Sequence, residues 1–453
     1  MAMVDVDVSA LPQAPKNPLP YLRQVRALRQ MHTGAEILRD AGGPVTRLVL
    51  APRWLAPPVV LVTSPQGAHD VLTNADVERN PAHEEIRHLL GANLIDLPNG
   101  PWLPRRRTLQ PLFTKQHVAA YACSMSRAAD MVAGRWRNGA TVDLDAECRR
   151  LTMRALGRSI LGIDFDDQFD AVADAMGVVL QYAADRAFAP ARAPRWLPTP
   201  ARRRARAASA ALHRMAGDIL QVCRSDPGRD APLVRGLLAA SDPETGRGLS
   251  DREICNELVL FMLAGHDTTA TTLAYALWAL GNHAAMQERV AAEAACAATE
   301  LSADDVTRLP YTVQVLHEAL RLCPPGALSG RTAVRDMVVD GYRVPAGAAV
   351  GVGIYALHRD PALWERAAEF DPDRFLPEKS AGRDRWQYLP FGGGPRKCIG
   401  DHFAMLEVTL ALAALVRRYE FHSLRTEFPL ATPFTMVAAE PVPARVTIRA
   451  VPD

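Results

Sequence analysis

The spacing of apolar residues divides the chain unequally. Up to about residue 65 the sequence is Pro-rich with short extended pieces, and Thr46–Leu50 and Val59–Val62 read as two strands joined by a Pro-containing loop. From about 66 to 330 the pattern is mainly helical, with loop-like breaks at Arg79–Pro101, Pro190–Pro200 and 240–250. The longest helix is expected to start after Ser250 and to run to about Gly281. Ser250 and Glu253 have the spacing of a capping box, in which the Ser side chain takes the amide of the third helical residue and the Glu reaches back. A helix over Tyr311–Leu322 must stop before Pro324-Pro325, which cannot continue it. Residues 333–356 alternate and carry Gly and Pro turns, so they read as short strands, and a last helix runs from Cys398 through Leu415. No internal repeat and no strand–helix alternation of a parallel sheet is visible. The expected class is therefore mainly α with a minor β part.

Composition narrows the function classes. The 453 residues allow a large core, and 48% hydrophobic with 23% charged residues is ordinary for a globular protein. Fifty-two basic against 50 acidic residues leave a net charge of +2, which gives no reason to expect nucleic-acid binding. The run Arg202, Arg203, Arg204 and Arg206 reads as a solvated helix start. Seven scattered cysteines and an N-terminus broken by acids, with no basic leader, point to a reducing, cytoplasmic setting rather than a disulfide framework. No apolar run approaches the roughly 18 residues of a membrane span, so no anchor is expected.

Candidate chemistry concentrates in Phe391-Gly-Gly-Gly-Pro-Arg-Lys-Cys-Ile-Gly400. A thiolate that serves as a ligand must stay anionic although burial favours the thiol. A Gly-rich backbone able to turn its amides toward the sulfur, and a helix starting just after it, both favour the anion. Gly400 can let the backbone pass close to a flat cofactor, Phe391 can shield the sulfur, and Arg396 can pair with a carboxylate. A phosphate loop is the wrong match, because the Walker Gly-Lys-Ser/Thr ending and the Gly-x-Gly-x-x-Gly fingerprint are absent. Cys398 and His402 stand four apart as a metal pair could, yet no second pair has matching spacing. A buried structural cysteine is the plain alternative.

The loop resembles the haem-binding signature of the cytochrome P450 family, Phe-x-x-Gly-x-Arg-x-Cys-x-Gly. Phe391, Gly394, Arg396, Cys398 and Gly400 fill every defined position. Upstream, in the family's order, Ala264-Gly265-His266-Asp267-Thr268-Thr269 resembles its oxygen-activating helix motif, and Glu318-Ala-Leu-Arg321 resembles its Glu-x-x-Arg. Arg374, in Phe370-Asp-Pro-Asp-Arg-Phe375, matches the arginine that completes the family's buried triad; Trp102 and Arg106 match its Trp-x-x-x-Arg, and Arg331 matches a further propionate arginine. Where many members have a His just before the Arg pair, this chain has Arg105.

The resemblance covers essentially the whole chain and implies one domain over residues 1–453. Its parts would be a β-rich stretch at about 40–65, a helical part at about 66–330, and short strands with the haem-thiolate loop at about 331–453. A buried haem b would lie between the long central helix and the Cys loop, with Cys398 as the iron's thiolate ligand. Trp102, Arg106, Arg331 and Arg396 would hold its propionates, and Ala264, Phe391 and Gly400 would pack near it. Small residues at 264 and 265 would leave room for a diatomic ligand. The Thr268 hydroxyl, freed from the helix backbone, would donate at the reacting oxygen while Asp267 relays protons from solvent. Glu318, Arg321 and Arg374 would hold the segment leading to Cys398.

The implied activity is that of a monooxygenase which inserts one atom of O2 into a lipophilic small molecule, terpenoid-like by preference, in bacterial secondary metabolism. Fatty-acid or polyketide hydroxylation and peroxide-driven turnover are alternatives, and a non-enzymatic haem sensor is the remote one. The pocket would be lined near Ile86–Leu97, Tyr182–Phe188, Leu260–Ala264, Ala327–Ser329 and Thr435–Val437. No flavin or nicotinamide motif is present, so electrons would come from a ferredoxin or flavodoxin with its NAD(P)H-dependent reductase. Arg105, Arg107, Lys115 and Lys397 are a candidate basic face for that partner, and a monomer is expected.

Overall fold

The computed structural model describes residues 7–30, 32–50, 57–163, 169–188, 193–194, 196–298 and 300–450. The chain clusters into two compact units, Met1–Asn80 with Leu320–Cys398, and Pro81–Ala319 with Ile399–Asp453. The first unit joins the N-terminal part to a segment more than two hundred residues later, a pairing that the linear pattern does not contain.

In the first unit the β-branched runs build a five-stranded sheet in the order Val45–Leu48, Val59–Val62, Ala349–Val352, Ser329–Ala333 and Val77–Arg79. Val59–Val62 has the bounds read from the sequence, the strand before it starts one residue earlier and ends two earlier, and the Pro-containing link at 51–56 lies outside the described residues. One face of the sheet buries Val45, Val60, Val62, Val350 and Val352 with Val71 and Leu72. The alternating stretch 333–356 resolves into a hairpin, Met337–Val339 with Tyr342–Val344, then the strand Ala349–Val352 and a short helix, Ile354–His358. The hairpin turns on Asp340 and Gly341 at φ +49° and +79°, the left-handed pair that a two-residue loop between twisted strands requires.

Two guanidiniums organise the irregular segment beyond His358. Arg321 is fully buried near the end of the helix Pro310–Leu322, and donates to the carbonyls of His358, Ala367 and Glu369 at 2.8, 2.7 and 3.1 Å. Arg374 donates to the carbonyls of Glu365 and Arg366. A stretch with little regular structure thus has its carbonyls satisfied from within. The fully buried His358 accepts the Leu389 amide on Nε2 at 2.8 Å, two residues before Phe391, so its proton sits on Nδ1.

The second unit is helical. Its axis is Asp251–Asn282, 32 residues, and the Ser250–Glu253 capping box is present as read. This helix packs on Leu144–Leu156, Pro200–Ser225 and Asp401–Arg418. A three-stranded sheet, in the order Thr141–Asp143, Pro443–Ile448, Tyr419–Ser423, closes one side.

Two expectations change. The loop expected over Arg79–Pro101 contains the helix Pro81–Leu90 and the start of Asn99–Leu109. Prolines 81 and 101 fall in first turns, where no amide is missed, and Ile86 and Leu90 bury one face of the former helix. Arg202 is not solvated: it is buried and donates to the carbonyls of Ala193, Pro194 and Leu197 and to the Tyr182 hydroxyl, whereas Arg203, Arg204 and Arg206 are exposed.

Burial, with Arg321 nearby, holds the His358 imidazole down at about 3 from its ordinary 6.5. The unfolded chain therefore takes up a proton that the folded one refuses, and this contribution is complete above pH 6.5 and lost as pH falls toward 3. The thermal midpoint should fall over that window, and His358→Gln should flatten the slope. The advantage of the wild type over the variant should shrink by a few kcal/mol on acidification.

Candidate active site

The cysteine loop is a tight excursion inside the first unit. The Cys398 amide donates to the Phe391 carbonyl at 2.9 Å and the Lys397 amide to the Gly394 carbonyl at 3.1 Å, so the chain doubles back and presents an exposed Cys398 at its end. Gly392 and Gly394 have φ of +70° and +67°. A Cβ on Gly394 would lie 2.0 Å from the Leu72 carbonyl oxygen, and one on Gly393 would lie 2.4 Å from the Trp386 ring. These glycines let the loop lie on the core. The helix Asp401–Arg418 starts three residues after the thiol, with Gly400 as its cap. All seven cysteines are free. Among the described residues no group of three or more His, Cys, Asp or Glu is placed to hold a metal ion, so Cys398 and His402 gain no further protein ligands.

Arg331 is the clearest sign of an absent anion. It projects from Ser329–Ala333 opposite Val350, is 4% exposed, and among the described residues donates only to the Ser329 hydroxyl at 3.1 Å and the Gly330 carbonyl at 2.9 Å. No carboxylate pairs with it among the described residues. Burial, then repulsion from Arg396, pushes its pKa down to about 10. A buried cation beside a like charge favours an anion that the described residues do not supply, and the carboxylates of a haem fit that demand.

In the second unit the long helix is buried through Leu258–Met262 and again through Thr269–Leu280, except at Trp278, but between them it is accessible on one side, with Ala264 exposed and Thr268 half-buried while His266 is buried. Gly265 points elsewhere: its Cβ would stand 3.1 Å from Leu156, so its small size serves helix packing rather than a diatomic ligand. The Thr268 hydroxyl is not free, because it donates to the Ala264 carbonyl at 2.8 Å. Asp267 is held on both sides, by His266 Nδ1 at 2.9 Å and by the Arg149 guanidinium, which also reaches Asp145 at 2.7 Å. Burial raises the Asp267 pKa, but the His266 hydrogen bond and the Arg149 charge outweigh it and keep the carboxyl below its usual range. Arg149 was not a candidate from sequence. Its i,i+4 spacing to Asp145 is legible, but its reach across 118 residues to Asp267 is not.

Trp102 is buried and Arg106 half-buried, one turn apart on Asn99–Leu109. The expected basic face dissolves in part: Arg105 is buried between Glu253 and Glu257, and Arg107 makes a two-pronged pair with Asp242 at 3.0 and 3.1 Å. Lys115 and Lys397 are exposed.

A helical protein with a Gly-rich cysteine loop, an arginine poised for an anion and an accessible acid–alcohol helix is the architecture of a haem-thiolate oxygenase. The family model for cytochrome P450 matches residues 12–448, and the chain belongs to that family. It is a monooxygenase that carries haem b and uses a small-molecule substrate, O2 and redox partners. It is 36% identical to cyclooctatin synthase of Streptomyces melanosporofaciens over 85% of this chain and 84% of that one. It is 32% identical to cyclooctat-9-en-7-ol 5-monooxygenase of the same organism, over 79% of each. With pentalenene oxygenase of Streptomyces avermitilis it shares 31% identity over 78% of this chain and 80% of that one. The crystal structure of the cytochrome P450DA haem domain superposes with a TM-score of 0.84 at 26% identity, covering 98% of this chain and 99% of that one. Among the described residues no helix is long and apolar enough to cross a membrane.

Gly394→Ala should sharply lower the yield of folded, haem-loaded protein, since it adds a backbone clash to the left-handed φ. Gly139→Ala, at φ +77° in open space, should cost only about 1–2 kcal/mol and leave haem content intact. Haem absorbance per mole of soluble protein separates the two.

Proposed function

We propose that the chain hydroxylates or epoxidises a lipophilic, terpenoid-like small molecule in bacterial secondary metabolism, with Cys398 as the iron's thiolate ligand. Arg331 is the observation that carries the site assignment, as a buried guanidinium with no carboxylate partner among the described residues. With Arg396, Trp102 and Arg106 it binds the propionates; Phe391, Gly400 and Ala264 pack against the macrocycle; Glu318, Arg321 and Arg374 keep the approach to the Cys loop in place. The bound haem supplies reductive O2 activation and transfer of one oxygen atom. The protein supplies protons. When its pairing with Arg149 opens, Asp267 Oδ takes a proton from solvent hydronium, which leaves as water; Thr268 Oγ, once its bond to the Ala264 carbonyl is broken, takes that proton as it gives its own hydroxyl proton to the reacting oxygen.

The substrate class rests on the names of three relatives, which refer to cyclooctatin, cyclooctat-9-en-7-ol and pentalenene, and on the apolar character of Leu260–Ala264 and Ala327–Leu328. Electrons come from a ferredoxin or flavodoxin with its NAD(P)H-dependent reductase, and the enzyme works as a cytoplasmic monomer. The Thr268 alcohol favours this route over peroxide-driven turnover, and the acid–alcohol pair favours an enzyme over a sensor.

The reduced, carbon-monoxide-bound protein should show the red-shifted Soret band of a thiolate ligand, and Cys398→Ala should abolish it; a surviving band refutes the assignment. With a surrogate ferredoxin system, Asp267→Asn should keep that band and lose about 10²-fold or more in turnover of a cyclic terpene.

A further inference from the structure

Residues 91–97 link the helices Pro81–Leu90 and Asn99–Leu109 within the second unit. Their backbone is held by two consecutive residues of the long helix. Glu257 accepts the Leu94 amide at 3.2 Å, and Asn256 donates to the Ala92 carbonyl at 3.1 Å. Gly91, at φ +74°, lies so close to Asn256 that a Cβ would stand 2.5 Å from its amide group. His213 Nε2, from Pro200–Ser225, contacts both the Leu90 carbonyl and Asn256 Oδ1 at 3.2 Å. Glu257 is wholly buried, and its charge is met by Arg105, itself 7% exposed, at 2.6 Å. Arg105 also bonds Glu253, the residue that caps the long helix. A buried ion pair is no better for stability than a well-packed apolar pair, but it fixes which backbone groups lie beside it.

We propose that Arg105, Asn256 and Glu257 form a buried latch that sets the conformation of the 91–97 loop, and that Arg105 and Glu257 are thereby positioning residues which determine the size of substrate admitted. The selectivity half rests on the assignment of that loop to the substrate pocket. The latch also responds to pH. Burial pushes the Glu257 carboxyl up to about 7, with Arg105 opposing and Glu253 adding to the rise. The charged and titratable groups around it are Arg105, Glu253 and, beyond them, Arg247 on Glu253 and His213 on Asn256, with the buried Asp96 on the loop itself bonded to Asn93 and Arg87 on the Asp96 carbonyl. Above that pH the carboxylate accepts from both Arg105 and Leu94; below it the added proton weakens both bonds.

The test uses the full-length haem-loaded protein, Glu257→Gln, and the double variant Arg105→Leu/Glu257→Leu, which leaves no lone buried charge. Amide exchange across 91–97, corrected for intrinsic rates, should quicken about tenfold in both variants. In the wild type, protection should decline from about pH 8 to about pH 6, and the double variant should be flat. Soret titrations with imidazole and 4-phenylimidazole should show the ratio of their dissociation constants shifting about tenfold toward the larger ligand. Unchanged exchange in the double variant overturns the latch. Faster exchange with a ratio unchanged within about twofold overturns the selectivity half while the haem assignment stands. A wild type that lacks the thiolate carbon-monoxide band fails the proposed function instead, and the exchange data then judge the latch alone.

Discussion

No water reaches the Arg321 guanidinium, so its donors must end on protein atoms, and the first unit is arranged to receive them. The carbonyls of His358, Ala367 and Glu369 come from a stretch with almost no regular structure, which has no ladder of its own to satisfy it. Arg374 performs the same service for Glu365 and Arg366. His358, fixed from this side, then takes the Leu389 amide and so sets the chain's entry into the cysteine loop. Positioning passes from one buried donor to the next, and a loop that must present a thiol rests on groups far from it in sequence. Leaving one of these donors or acceptors unmet would cost about 1–3 kcal/mol.

Buried charge is treated in two ways. Around Glu257, Asp267 and Arg321 each charge is met by protein partners, so the local structure is complete in itself. Arg331 is different, because burial and Arg396 both disfavour its charge and, among the described residues, no carboxylate answers it. The acid–alcohol helix shows a related restraint, since Asp267 is locked to Arg149 and His266 and Thr268 to the Ala264 carbonyl.

Much of this is legible in the chain, for local reasons. The capping box at Ser250 and the stop at Pro324-Pro325 depend on residues three or four apart. The Gly-rich cysteine loop also declares itself within ten residues, because the left-handed φ values at 392 and 394 favour glycine. The misreadings share the opposite property. Residues 79–101 read as loop because prolines that merely open helices resemble breaks. Arg202 read as solvated, and Arg105 and Arg107 as part of a basic face, because their partners, the carbonyls of Ala193, Pro194 and Leu197, then Glu257 and Asp242, are not marked by any local pattern. Gly265 reads as room for a ligand until its direction toward Leu156 is known.

The sequence by itself determined the class of protein and many of its elements, since these are written in short-range patterns of glycine, proline, caps and apolar spacing. Only the tertiary structure decided which charges are buried and with whom: that Arg149 holds Asp267, that Arg105 pairs with the Glu257 carboxylate that accepts the Leu94 amide, and that Arg331 is buried with no carboxylate partner among the described residues. The physical reason is that burial and ion pairing depend on distance in space, and residues 118 or 152 positions apart leave no mark on one another in the linear chain.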